Sequence, residues 1–375
     1  MPLPRTFFAA FAFTAILHTA FASAMSTHHL FIGTYTRDGS KGIYSLQLDA
    51  DTGALTAPAV AAETKNPSFL ALSPDHRFLY AVSESEEMAA AFAVDPGTKR
   101  LTPLQTPQPA GGKAPCHLVV DRTGRTLVVA NYHTGVVASL PILADGALGQ
   151  PGSIIQHTGS SVNPDRQASP HVHSVTLSPD NRFVIVCDLG LDKIFTYRLD
   201  PAAATLAPAD PAFVRTAPGA GPRHTAFSTD GRHLFAIAEM GNTLTCYAYD
   251  AATGALAPRD TQSTLPADFK GENTTAEVRV HPNGRFVYGS NRGHDSIAAY
   301  AFDAAAEKLV PLGITPVGGR GPRNFALSPD GRWLVAANQN SDSLTVFRVD
   351  PDTGRLTPTA ATATISTPVC VLFAD

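Results

Sequence analysis

Apolar residues along this chain recur in short runs with a period of two, and turn residues separate the runs. In GAGPRHTAFSTDGRHLFAIAEMGN (Gly219–Asn242), one run covers Thr225–Ser228 and a second covers His233–Ala238, with STDGR between them. Alternation of this kind predicts strands rather than helices. Asp-Gly accepts tight-turn dihedrals at little cost, so the stretch predicts a hairpin. Antiparallel strands bring the start of the first and the end of the second to one end. Pro222, Arg223 and His224 are therefore expected beside Glu239 and Asn242.

The same pattern occurs in six copies. They are NPSFLALSPDHRFLYAVSES from Asn66, APCHLVVDRTGRTLVVANYH from Ala114, SPHVHSVTLSPDNRFVIVCDLG from Ser169, GPRHTAFSTDGRHLFAIAEMG from Gly221, AEVRVHPNGRFVYGSNRG from Ala276 and GPRNFALSPDGRWLVAANQN from Gly321. Their turn arginines, Arg77, Arg125, Arg182, Arg232, Arg285 and Arg332, are spaced by 48, 57, 50, 53 and 47 residues. A third strand such as SLTVFRVD follows each copy, then a PDTG-type turn and a looser fourth strand. Four short strands per unit of about fifty residues predict an all-β fold, a β-propeller. A further blade is split. PVCVLFAD at the C-terminus matches a first strand, and HLFIGTY (His29–Tyr35), GIYSLQLD and ALTAPAV match the second, third and fourth. The expectation is a seven-bladed ring whose last blade is closed by N- and C-terminal strands, with Pro368–Phe373 beside His29–Tyr35. Closure of this kind removes free sheet edges.

Repetition also decides the domain count: a chain of 375 residues reads as one propeller domain over residues 25–375. The net charge of -4 and the lack of a basic run argue against nucleic-acid binding. Residues 1–24 differ from the rest. Arg5, the apolar stretch Phe7–Leu17 and Ala22-Ser23-Ala24 form the three regions of a secretory signal peptide cleaved after Ala24. The mature protein is then periplasmic or secreted and free of the membrane. A translation start at Met25 would instead make it cytoplasmic. Cys116, Cys187, Cys246 and Cys370 sit singly in apolar runs with no CxxC spacing. They read as buried free thiols, with no disulfide and no metal site.

Two insertions set blades apart: HTGSSVNPDRQASPHVH (His157–His173) and TLPADFKGENTTAE (Thr264–Glu277). Each precedes a first strand, so each is expected to fold over the rim that carries Arg223, and loops over one face of a rigid ring commonly bind ligands. The starts of first strands and the ends of second strands crowd that rim with His, Arg, Glu and Asn, which points to one channel mouth. Glu277 and Arg279 alternate along one strand and are expected to pair between blades. The opposite rim carries the SPDGR turns. His76, His233 and His281 lie near those turns and are expected to be solvated.

Four stretches, RQASPHVHSV (Arg166–Val175), GAGPRH with the later AE (Gly219–Glu239), GENTTAEVRVHPNGRFVYGSNRGHDSI (Gly271–Ile297) and GPRNFALSPDGR (Gly321–Arg332), resemble the seven-bladed lactonases. That family includes propeller-type 6-phosphogluconolactonases and the fungal carboxy-muconate lactonising enzyme, and the resemblance covers nearly the whole mature chain. It implies a site of one histidine, two arginines and a glutamate: His171 or His173, Arg223, Arg292 and Glu239. The neighbouring rim residues His117, His133, His224, Asn291, His294, Arg323, Asn324 and Gln339 are then candidate substrate contacts.

Opening a lactone needs an activated water, a stabilised oxyanion and a protonated leaving alkoxide. Glu239 or a histidine of PHVH can serve as base, the other histidine as acid, and the arginines can hold an anionic substrate. The same groups would serve lactonisation of a muconate. The expected partner is a small anionic lactone, with a monomeric enzyme, no cofactor and no metal. Calcium, used by unrelated propeller lactonases, needs several oxygen ligands, and this rim is rich in arginine. The alternative class is a non-catalytic binding or scaffold propeller. A quinone-type dehydrogenase would need a cofactor motif, and none is visible. Export conflicts with a phosphorylated cytoplasmic substrate.

Overall fold

The computed structural model describes residues 1–3 and 27–375. The expected signal segment, apart from its first three residues, lies outside them, as does the cleavage point after Ala24. The described chain forms seven antiparallel sheets, six of four strands and one of five. In the five-stranded sheet, the short strand Gln108–Pro109 pairs with Met88–Val94 beside Leu101–Pro103. The innermost strands are Leu70–Leu72, Pro115–Val120, Val172–Leu177, Pro222–Phe227, Thr274–Val280, Pro322–Leu327 and Pro368–Phe373. Each lies against the next, and the last lies against the first, so the ring is closed.

Closure follows the sequence expectation. Pro368–Phe373 is the inner strand of a sheet continued by Thr27–Thr34, Gly42–Asp49 and Ala59–Glu63, with Phe31 opposite Leu372. Beyond the strand, Ala374 N–H donates to His29 O at 2.8 Å, and His28 pairs with Asp375. Both ends of the described ring are thereby tied to one sheet.

The core lies between adjacent blades. Trp333 opens the second strand of its blade (Trp333–Asn338) and packs on Gly53 in the turn of the next blade. A Cβ on Gly53 would stand 2.5 Å from the indole, and its φ of 74° is itself unfavourable for other residues. The indole Nε1–H donates to Ala50 O at 2.9 Å, so the buried ring keeps its polar atom satisfied. Phe286 stands in the same relation to Gly354, where a Cβ would come within 2.4 Å of the ring. Burying each such aromatic side chain contributes about 1.5–3 kcal/mol. The glycine of the D-T-G turn is thus where one blade admits its neighbour.

The first strand expected at Thr225–Ser228 in fact spans Pro222–Phe227. The difference is a β-bulge. Pro222 pairs with Ala238 and His224 with Ile237, which leaves Arg223 without a partner across the ladder. The inner strands shift register at the same place at His173, Arg323, Cys116 and Val369. A bulge re-aims the extra side chain. His173, Arg223 and Arg323 therefore hold equivalent places on their inner strands; those of His173 and Arg223 are neighbours, and Thr274–Val280 lies between those of Arg223 and Arg323.

His233 and His281 are buried, not solvated as expected; only His76 of the three is exposed. His233 Nε2 meets Glu307 at 3.1 Å, and His281 Nε2–H donates to Gly331 O at 2.9 Å. Partners supplied by the adjacent blade keep these rings out of water, and no hairpin read alone reveals those partners. All four cysteines are free and buried. Among the described residues, no helix is long and apolar enough to cross a membrane.

Candidate active site

Glu239 follows the second strand His233–Ala238, and its N–H donates to Gly221 O at 2.7 Å. Three guanidinium groups converge on its carboxylate. Arg223 Nε–H donates to Oε2 at 2.9 Å, Arg292 Nη2 meets Oε2 at 2.9 Å, and Arg166 Nη2–H donates to Oε1 at 2.7 Å. Arg223 is only 2% exposed and Glu239 only 5%. Burial pushes the Glu239 carboxyl up, but the charges of Arg292 and Arg223, with His173 and the bond from Arg166, hold it well below the usual carboxylate range. Burial and the like charges of Arg292 and Arg323 bring Arg223 down to about 9. Both directions leave the pair ionised at neutral pH. One buried negative charge thus faces three positive ones.

The two histidines of PHVH differ. His173 is buried, and its Nε2 lies 4.0 Å from Glu239 Oε2, while its Nδ1 has no hydrogen-bond partner. Burial, then Arg223 and His224, depress its pKa well below 6.5, so the ring is neutral. His171 is half-buried; its Nδ1–H donates to Tyr132 O at 3.0 Å, and its ring stacks on Tyr132 at 4.5 Å. That bond leaves Nε2 of neutral His171 as the acceptor. Tyr132 also meets His173 edge to face at 5.4 Å.

On the other side of the mouth, Glu84 accepts a hydrogen bond from Ser68 Oγ at 2.6 Å. The guanidinium of Arg323 lies 5.7 Å from the Tyr35 ring centre. Burial opposes the Arg323 charge, but Tyr35, Glu84 and Glu239 outweigh burial and raise its pKa. This second arginine from a bulge faces the mouth opposite Glu239.

A septum lies beneath. Phe69 stacks on His117 at 3.8 Å, and His117 meets His224 edge to face at 5.0 Å. Arg223 Nη1–H donates to Ala276 O at 2.6 Å and to His224 Nε2 at 3.1 Å. Because Nε2 accepts there, Nδ1–H of His224 donates to Glu277 Oε2, at 3.2 Å. Asn324 Nδ2–H donates to the same oxygen, and Arg279 Nη2 reaches it at 3.4 Å. Glu239, Arg223, His224, Glu277 and Arg279 form one continuous polar chain along the channel. Glu277 and Arg279 pair within one strand; the contacts of this pair between blades are those of Glu277 with His224 and Asn324 and of Arg279 Nε with Phe325 O.

The structure brings His173, Arg223, Glu239 and Arg292 together and places His171 at their edge. His117, His224 and Asn324 lie in the septum, and Arg323 lies at the mouth. Asn291 and His294 do not join the cluster around Glu239. Asn291 Nδ2–H donates to Thr264 O at 2.8 Å and its Oδ1 accepts from Thr264 Oγ1 at 2.8 Å, while His294 Nδ1 meets Ser296 Oγ at 2.7 Å. They brace the base of the Thr264–Glu277 insertion. His133 is exposed beside Tyr132, and Gln339 is half-buried at a strand end.

Arg166 is the residue that the sequence reading missed. It lies in an insertion with no counterpart in the other repeats, although its loop was expected over this rim. Among the described residues, no group of three or more His, Cys, Asp or Glu side chains stands close enough to hold a metal ion.

Residues 29–373 match the family described as Lactonase, 7-bladed beta-propeller. The chain is 35% identical over 345 residues to a 6-phosphogluconolactonase of Bacillus subtilis, covering 92% of this chain and 97% of that one. It is 30% identical over 309 residues to a 6-phosphogluconolactonase of Formosa agariphila, covering 80% and 86%. Among solved structures, it is similar to a periplasmic gluconolactonase of Pseudomonas aeruginosa, with a TM-score of 0.87, 37% identity and coverage of 93% and 99%.

Proposed function

The chain belongs to the seven-bladed β-propeller lactonase family, and we propose that it hydrolyses a six-carbon sugar lactone at the channel mouth around Glu239. The observation that carries this reading is the convergence of Arg166, Arg223 and Arg292 on one buried carboxylate beside neutral His173. With Arg323 opposite, positive charge exceeds negative at the mouth. A scaffold propeller has no use for such a focus, whereas a reaction that passes through an oxyanion does.

In this reading His173 is the general base. Its Nε2, the ring nitrogen on the Glu239 side, takes a proton from water as the water oxygen bonds to the lactone carbonyl carbon. Negative charge then gathers on the former carbonyl oxygen, where guanidinium N–H groups stabilise it. The bond from that carbon to the ring oxygen breaks, and protonated His173 returns its proton to the departing alkoxide. The product is an open-chain hydroxy acid. Glu239 acts as the fixed anion that orients three arginines, and its charge, 4.0 Å from His173 Nε2, favours the imidazolium formed in the step. His171 accepts a substrate hydroxyl through Nε2.

The signal-like leader and the similarity to a periplasmic gluconolactonase favour an exported enzyme and an unphosphorylated gluconolactone. The test is a hydrolysis screen of gluconolactone and 6-phosphogluconolactone with purified protein, corrected for spontaneous opening. Faster turnover of the unphosphorylated lactone is expected. Absence of catalysis with every sugar lactone would favour the scaffold reading.

A further inference from the structure

The channel has a second mouth. On the side of the SPDGR turns it opens into a cavity of about 760 Å³. The sequence assigns that rim only turn chemistry, yet this volume falls within the range of small-molecule sites, roughly 300–1,000 Å³. Leu72, Leu177, Phe227 and Phe373, at the far ends of inner strands, help form its walls. Its polar floor is the underside of the septum, where Glu277 and Arg279 face it. Phe69, His117 and His224 stand between this floor and the Glu239 cluster.

The floor is cationic in effect. Glu277 is 2% exposed, and its Oε2 already meets His224, Asn324 and Arg279. The side chain of Arg279 is 38% exposed, and its contacts are long: 3.4 Å from Nη2 to Glu277 and 3.4 Å from Nε to Phe325 O. Most of its five N–H donors remain available. Arg122 adds a second guanidinium at the outer edge, and Glu277 is the only acid among the lining residues. The hydroxyls of Thr176 and Thr225 bond each other at 2.8 Å, so the walls offer little to a polyhydroxylated sugar. A guanidinium at the base of an apolar cup fits a carboxylate attached to an apolar body.

We propose that this second mouth is a binding site for a small organic carboxylate with an aliphatic or aromatic body, its carboxylate on Arg279. The site is separate from the lactone site and does not depend on the reaction assigned there.

Benzoate is the probe. Calorimetric titration of the full-length protein with sodium benzoate is expected to show one saturable site. Arg279→Gln removes the charge-assisted bonds and is expected to weaken binding by ~10-fold or more. Ala226→Phe fills the cavity from its wall and is expected to abolish binding while leaving Arg279 in place. Arg323→Gln, at the opposite mouth, is expected to bind as wild type does. Thermal melts accompany each variant, and if Arg279→Gln is poorly folded, Ala226→Phe decides alone. Lack of saturable binding by wild type, undiminished binding by Ala226→Phe, or loss of binding by Arg323→Gln would each overturn the proposal.

Discussion

Arg292 Nη2 lies 2.9 Å from Glu239 Oε2, across the boundary between two blades. Arg292 ends the second strand of its blade, Phe286–Arg292, and Glu239 follows the second strand of the preceding one. Arg223 binds the same oxygen from a bulge in an inner strand. A carboxylate held this way takes up a proton with difficulty and makes a poor base. The sequence left Glu239 and a histidine as equal candidates; the geometry favours the histidine.

Glu239→Gln therefore tests architecture before catalysis. The amide would keep the shape but leave Arg166, Arg223 and Arg292 facing one another around a neutral group. Breaking a buried ion pair by removing one partner costs about 3–5 kcal/mol. Urea unfolding at neutral pH is expected to show a loss of that order. A variant as stable as wild type would mean that the cluster is not a structural clamp.

The same carboxylate sets an acid limit on stability. Its folded-state pKa is depressed, chiefly by Arg292 and Arg223 acting against burial. The stabilisation is therefore fully present above the unfolded-state value, about 4.3, and is lost as pH falls toward the folded-state value. The stability difference between wild type and Glu239→Gln is expected to stay constant from about pH 7 to 5 and to shrink below about pH 4. If the difference already collapses near about pH 6, the carboxylate is not held low.

Arg166 offers a cleaner probe of catalysis than Arg223. Arg223→Ala would leave Glu239, His224 and Ala276 O without a buried donor, so this change is expected to destabilise the fold as well. The Arg166 side chain is 40% exposed. Without Arg166 the buried carboxylate keeps Arg223 and Arg292 as partners, so Arg166→Ala is expected to cost less stability than Glu239→Gln. If Arg166 stabilises the oxyanion, Arg166→Ala is expected to lower kcat by about 10²-fold, the low end for loss of one such donor. Steady-state lactone hydrolysis with a parallel melt decides; unchanged kcat would remove Arg166 from the site.

The thiols should be inert in the folded protein. Burial pushes Cys187 and Cys370 up to about 12 and raises Cys116 further. Thiolate, the reactive form, is then scarce at neutral pH. Alkylation of the native protein is expected to be slow. Denatured protein should label at all four cysteines with or without reductant. A gain in labelling on reduction would reveal a disulfide.

The ring was legible because six copies repeat a hairpin whose tight turn ends in arginine, three of them through Asp-Gly or Asn-Gly, and because PVCVLFAD lacks a blade of its own. The mouth was legible only in part. Hairpin topology brings Arg223 to Glu239, but the bulge that turns Arg223, His173 and Arg323 inward adds a residue without changing the apolar pattern. Arg166 lies in a loop unique to one blade, so no repeat flags it. Asn291 and His294 share the end of a second strand with Arg292, yet the Thr264–Glu277 insertion engages them from behind. The far cavity is built from Phe227, Phe373 and Leu72, which in sequence look like core.

The base assignment separates two histidines only two residues apart. His173 Nε2 approaches Glu239 Oε2, its Nδ1 is unpaired, and the ring is kept neutral by burial and by Arg223 and His224. His171 instead spends Nδ1–H on Tyr132 O and stacks at the rim. If His173 accepts the proton, His173→Asn is expected to lower kcat by about 10²–10⁴-fold, the usual worth of a positioned acid–base group. His171→Asn should act mainly on KM, since it removes a contact made by bound substrate throughout. The pH profile adds an independent reading. A base with a depressed pKa stays deprotonated below 6.5, the ordinary histidine value, so kcat/KM should remain flat from neutral pH to below that point. An acid limb at or above that value would contradict the base assigned to His173, and a larger fall in kcat for His171→Asn than for His173→Asn would transfer the role to His171.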